Sequence, residues 1–150
     1  MREALNDALK EAMKAQDKCA VATIRLILAA LKEKDIAVRS SGEATEASDA
    51  DILAMLQTMV KQRHDSIAMY EKGDRPELAQ QERDEISIIQ RFLPRQLSDA
   101  EIESAVDSVV QETGADGLKW MGKVMAALRE RYTGQMDFAK AGAMAKKRLS

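Results

Sequence analysis

Cysteine, histidine, proline and aromatic residues are all scarce in this chain of 150 residues, and each scarcity removes a class of answer. Cys19 is the only cysteine, so neither a disulfide framework nor a cysteine-rich zinc site can be assembled. His64 is the only histidine, and one His with one Cys gives no soft ligand set, so no metal is expected. Its neighbours spell His64-Asp65-Ser66, yet consecutive helical residues point about 100° apart, so the three cannot converge on one reacting atom as a hydrolase triad does. Glycine-rich phosphate loops of the GxxxxGK[ST] or GxGxxG kind are missing, and no cofactor is predicted. No apolar run approaches the ~20 residues that span a bilayer. Asp7, Lys10, Glu11 and Lys14 interrupt what would be a signal peptide's apolar centre. These features predict a cytoplasmic protein with no membrane partner.

With 2 prolines, 7 glycines and no alternating β-branched runs, the chain reads as all-α. Hydrophobic residues at 45% are enough for a core, and charged residues at 32% are compatible with solubility. The stretch from Lys61 to Asp99 organises the rest. Leu56, Met59, Val60, Ile67 and Tyr70 keep three-and-four spacing, and Gly73 supplies a left-handed helix end. Asp74 is the expected N-cap of the next helix, with Pro76 in its first turn and Glu77 closing a capping box. Leu78, Ile86, Ile89 and Leu93 continue the stripe, with Glu82 as a polar gap. Pro94 stops that helix, and Ser98 with Glu101 opens another. Residues 94–98 form a joint, dividing the chain into an N-terminal four-helix domain, 1–94, and a small three-helix C-terminal domain, 95–150.

Upstream, a helix from about Arg2 to Gln16 carries Leu5, Ala8, Leu9, Ala12 and Met13 on one face. A second, to about Asp35, carries Val21, Ile24, Ile27, Leu28 and Leu31. Residues 38–48 lack periodicity and read as a loop, and Ser48 caps the helix that follows. Downstream, Ile102, Ala105, Val106, Val109 and Val110 mark one helix. Leu118, Met121, Val124, Met125 and Leu128 mark the next, and Phe138, Ala141, Ala145 and Leu149 the last. Methionines on these stripes read as core filling.

The charge is unevenly placed. Residues 96–112 hold five acidic residues and no basic one, whereas 113–150 hold eight basic and three acidic, a net of +5. A basic segment of this kind can follow a polyanion's backbone or form a solvated helix face. Trp120, off its helix's stripe and flanked by Lys119 and Lys123, suits base stacking, a protein interface or packing on the first domain. Glu82, Asp84 and Glu85 are expected to pair with Arg75, Arg83 and Arg91 on a solvated face.

The segment KQRHDSIAMYEKGDRPELAQQERDEISIIQRFLPRQLSDAEIE, followed by Met121-Gly122-Lys123-Val124-Met125, resembles the signature of the GatB/YqeY family across nearly the whole chain. One departure lies at Gly134-Gln135-Met136-Asp137-Phe138, where the family has G.ADG. The resemblance implies that residues 94–150 are similar to the tail of the B subunit of the tRNA-dependent amidotransferase, which engages tRNA. The cradle and the amidase Ser-Ser-Lys machinery have no counterpart here, so no catalytic residue is expected. The implied function is a tRNA- or RNA-binding accessory module. Lys119, Lys123, Arg129, Arg131, Lys146, Lys147 and Arg148 would hold phosphates, and Gly122 would admit a close backbone. Lys61, Arg63 and Arg75 would extend the track if the two halves fold together. The alternatives are a component of an amidotransferase, a carbon–nitrogen ligase with glutamine as amido donor, or a protein-interaction adaptor. Amidotransferase or aminoacyl-tRNA synthetase subunits are then the expected protein partners.

Overall fold

The computed structural model describes Met1–Ser150 and is built from helices alone. In order these are α1 (Arg2–Lys14), α2 (Lys18–Ser41), α3 (Asp49–Lys72), α4 (Pro76–Gln90), α5 (Asp99–Thr113), a 3-10 turn (Leu118–Trp120), α6 (Met121–Arg131) and α7 (Phe138–Leu149). The protein is all-α. It forms two compact units, Met1–Pro94 and Arg95–Ser150.

In the first unit α4 lies along α3, and α2 packs on both α1 and α4. Leu5, Ile27, Leu31, Ile52, Leu56 and Ile89 form the centre of its core, and Ile24, Ala12, Ala20 and Ile88 continue it toward the α1–α2 turn. Each large side chain fully buried there contributes roughly 1.5–3 kcal/mol, which is what holds helices that share no covalent staple. Asp17 caps α2, accepting from the Ala20 amide at 3.1 Å. Ser48 and Asp51 form a reciprocal capping box at the start of α3.

Several expectations for this unit are corrected. Helix α2 does not stop near Asp35 but runs to Ser41, where Gly42 at φ 77° ends it, so part of the expected 38–48 loop is helical. Val38, buried, falls seven residues after Leu31 on the same face, and that continues the helix. The remainder is pinned by Asp35, which accepts from Arg2 Nη1 and Nη2 at 2.8 and 2.7 Å and from the Ala47 amide at 2.8 Å. At the α3–α4 turn Gly73 has φ −86°, and Asp74 is the residue in the left-handed conformation, φ 55°. Arg75 therefore occupies the cap position, with no side-chain cap bond and no box with Glu77, while Pro76 does open α4. Aspartate tolerates the left-handed region better than most side chains, so either residue could have taken the turn. Met13 is 51% exposed rather than part of the α1 stripe, and the lone Cys19 is exposed.

The second unit is organised on α5. Ile102, Ala105, Val106, Val109 and Val110 all face inward as their spacing predicts, against Val124, Met125 and Leu128 of α6 and Ala141, Ala145 and Leu149 of α7. Ser98 and Glu101 cap α5 reciprocally, at 3.2 and 3.0 Å. Leu118 is half exposed, because the segment that precedes α6 is a 3-10 turn and not helix. Met136, the departure from the family pattern, is 1% exposed at the centre of this core. Asp137 beside it caps α7, accepting from the Ala139 and Lys140 amides.

Candidate nucleic-acid interface

The acidic α5 and the basic α6 and α7 turn out to be partners as well as opposites. Arg131 meets Glu112 at 2.5 Å, Lys140 meets Asp99 at 3.1 Å, and Arg148 meets Asp107 at 3.2 Å. Arg95 adds a two-point pair with Glu101 at 3.0 and 2.8 Å. Two of the expected phosphate holders, Arg131 and Arg148, are thus occupied by cross-helix pairs. Such pairs are exposed and individually weak, so they bias these cations without locking them.

Five cations of this unit are exposed and have no carboxylate partner: Lys119, Lys123, Arg129, Lys146 and Lys147. Their placement follows from helix geometry. Residues 119, 122, 123, 126 and 129 share one face of the turn and α6, opposite the buried Val124, Met125 and Leu128. Gly122 lies in the middle of that face, and a Cβ built there would meet nothing within 4 Å. No neighbouring helix packs against Gly122, and its backbone is open to an approaching ligand. Lys146 and Lys147 sit in the last turn of α7, where cations also offset the helix dipole.

Trp120 packs against the core of its own unit, and the Lys123 Nζ stands 5.0 Å from its ring centroid. The Arg129 guanidinium is held similarly, 5.8 Å from the Phe138 ring centroid. Both cations are partly pre-positioned by aromatic faces, an attraction of about 0.5–1 kcal/mol at exposed sites. On the α5 side a shallow cavity of about 460 Å³ is lined by Arg95, Ser104, Ser108 and Tyr132 among others. In the sequence only the four-residue spacing of Ser104 and Ser108 hints at it.

In the first unit the three extra residues part company. Lys61 is exposed and unpaired. Arg75 lies 3.9 Å from Glu77 with most of its side chain in solvent. Arg63 is not available: it is largely buried, bonded to Glu85 at 3.0 Å and to the Met59 carbonyl at 3.1 Å, with Glu82 at 3.9 Å. It, and not Arg75 or Arg91, is the partner of the acidic cluster. Arg83 pairs instead with Glu71. Burial, and then the neighbouring Glu85, push the Glu82 carboxyl above its ordinary range against the pull of Arg63. His64 is exposed on α3, and no group of three or more His, Cys, Asp or Glu is placed to hold a metal ion. No helix is long and apolar enough to cross a membrane.

Comparison with known proteins adds the following. The profile of the YqeY-like protein family matches residues 2–149. The "altered inheritance of mitochondria protein 41, mitochondrial" of Vanderwaltozyma polyspora is 29% identical over 122 residues, which cover 77% of this chain and 63% of that protein. Its counterpart in Lachancea thermotolerans is 31% identical over 110 residues, 72% of this chain and 57% of that one. That of Saccharomyces cerevisiae is 27% identical over 134 residues, 89% of this chain and 69% of that one. The chain thus spans less than two thirds of the first two relatives. The names of all three say mitochondrial, which overturns the cytoplasmic expectation. The features behind that expectation, a lone cysteine and no long apolar run, suit a mitochondrial interior as well and cannot choose between compartments. With a family profile matched from one end to the other, the chain belongs to the YqeY-like protein family.

Proposed function

We propose that this protein is a non-catalytic RNA-binding accessory module whose ligand is tRNA, gripped through the exposed face of α6 and the end of α7. The observation that carries the reading is the row Lys119, Gly122, Lys123 and Arg129. Three cations without carboxylate partners flank a helical glycine that has no packing reason to be there. A glycine inside a helix costs about 1 kcal/mol relative to alanine, and an open backbone beside cations suits contact with a sugar–phosphate chain. Lys146 and Lys147 add two further phosphate contacts. Lys123, held over Trp120, is the centre of the site. The resemblance to a tRNA-engaging tail supplies the choice of tRNA among polyanions.

The test is fluorescence anisotropy with labelled bulk tRNA, comparing Lys123→Glu and Arg131→Gln with the wild type. Reversing Lys123 removes one phosphate contact and adds a repulsion, so affinity should fall by about tenfold or more. Arg131→Gln, which removes a cation already paired with Glu112, should change it much less. Equal losses in the two variants would show that the α6 face is not the site.

A further inference from the structure

Helix α2 is 24 residues long, and its core-facing residues leave a second, outward face uncovered. On that face Cys19, Ala22, Leu26, Ala29, Glu33 and Ile36 recur at alternating spacings of three and four, and all are exposed. Leu26 and Ile36 are each 49% exposed, large apolar side chains in the same row. This is the a/d pattern of a helix that pairs with another helix, with alanines at two positions where backbones can approach closely. Along one edge of the row stand Lys18, Arg25, Lys32 and Arg39, seven residues apart each time and every one exposed. Arg39 donates to the Asp35 backbone carbonyl at 3.5 Å and lies in the field of its carboxylate, and Lys18, Arg25 and Lys32 face no carboxylate. Successive members lie about 10 Å apart along the axis and drift by about 20° per heptad, which a left-handed supercoiled partner would follow.

We infer that the outer face of α2 is a docking surface for a helix of a partner protein, one with an apolar seam bordered by acidic residues at heptad spacing. The charge decides the partner. Four cations on one edge, at the interval of a coiled-coil flank, are complemented by a row of Asp or Glu on the facing helix. A second copy of α2 offers no such row. A bilayer surface fits less well, because Glu33 sits within the apolar row and would be carried toward the acyl region. Facing a lysine or arginine across a helix pair, the same carboxylate fixes register instead.

The experiment uses the full chain and a synthetic four-heptad peptide with a Leu/Ala seam, Glu along its flanks and one Lys at a seam position. A control peptide has Lys in place of the flanking Glu. Binding is followed by anisotropy and by amide shifts of α2. The Glu-flanked peptide should bind and shift α2, and the Lys-flanked one should not. Arg25→Glu with Lys32→Glu, both exposed and therefore neutral to the fold, should weaken the Glu-flanked peptide by about tenfold or more and admit the Lys-flanked one. Four results would overturn the inference. They are no binding of the Glu-flanked peptide, equal binding of both, a concentration-dependent dimer that protects α2, and α2 shifts seen only with vesicles of phosphatidylcholine and phosphatidylserine.

Discussion

Gly122 and Thr23 are two residues whose local chemistry runs against stability. A Cβ at position 122 meets nothing within 4 Å, and no positive φ demands glycine there. Gly122→Ala should therefore raise unfolding free energy by about 0.5–1 kcal/mol, while weakening tRNA binding if the open backbone is the contact. Thermal melts and anisotropy on the same sample separate the two effects, and a variant that gains stability with unchanged affinity would remove Gly122 from the site. Thr23 is 1% exposed, and its hydroxyl has no hydrogen-bond partner in the protein. Replacing it with the near-isosteric valine removes an unsatisfied polar group at little cost in shape. Thr23→Val should stabilise the first unit by about 1 kcal/mol in urea titrations; a loss of stability would mean that the hydroxyl is satisfied after all. Of these two, Gly122 could be seen in the sequence as a glycine within a helical pattern, but the space around it could not. Thr23 gave no sign, since it falls between the stripe residues Val21 and Ile24.

Helix bodies were legible and helix ends less so, for a physical reason. A buried stripe such as Ile102 to Val110 is repeated over several turns, so one odd residue does not hide it. An end depends on one or two residues whose competitors are close in energy, as Gly73 and Asp74 show. The end of α2 was misplaced because only Val38 marks its last turns from the apolar side, while the device that secures them is long-range. Arg2, from the first residues of the chain, binds the Asp35 carboxylate together with the Ala47 amide. The Arg2 guanidinium foremost, then the Ala47 amide, hold the Asp35 carboxyl at about 2. Arg95 foremost, then the Ser98 amide, do the same for Glu101 at about 2. A depressed carboxyl contributes stability that is complete above its unfolded value, about 4. That contribution is lost as pH falls through the folded value. The melting temperature should therefore drop between about pH 4 and pH 2, and Asp35→Asn should flatten that drop. Glu82 has the opposite sign: its raised carboxyl favours the protonated folded form, so acidification relieves it. A pH slope unchanged by Asp35→Asn would show that the Arg2 clamp is not maintained in solution.

For the molecule as a whole, the informative quantity is where charge goes after the helices have paired. A formal charge of −2 describes the chain poorly. The second unit spends Arg95, Arg131, Lys140 and Arg148 on carboxylates of α5 and keeps Lys119, Lys123, Arg129, Lys146 and Lys147 in solvent. The separation of acidic 96–112 from basic 113–150 was visible in the sequence, but which cations would be left over was not, because pairing across helices depends on side-chain reach in the folded unit. Arg63 makes the same point in the first unit, where a residue read as a phosphate holder is closed in by Glu85 and Glu82. These leftover cations are the ones proposed to bind the tRNA backbone. The most direct test is the affinity of the full chain for tRNA across a salt series, with and without Lys119, Lys123, Lys146 and Lys147 changed to Gln. Each phosphate contact contributes about −0.7 to −0.9 to the log–log slope. With five such contacts the wild-type slope should lie near −4 and fall to about −1 when the four lysines are neutralised. A shallow wild-type slope, or a steep one that survives their loss, would contradict the proposal.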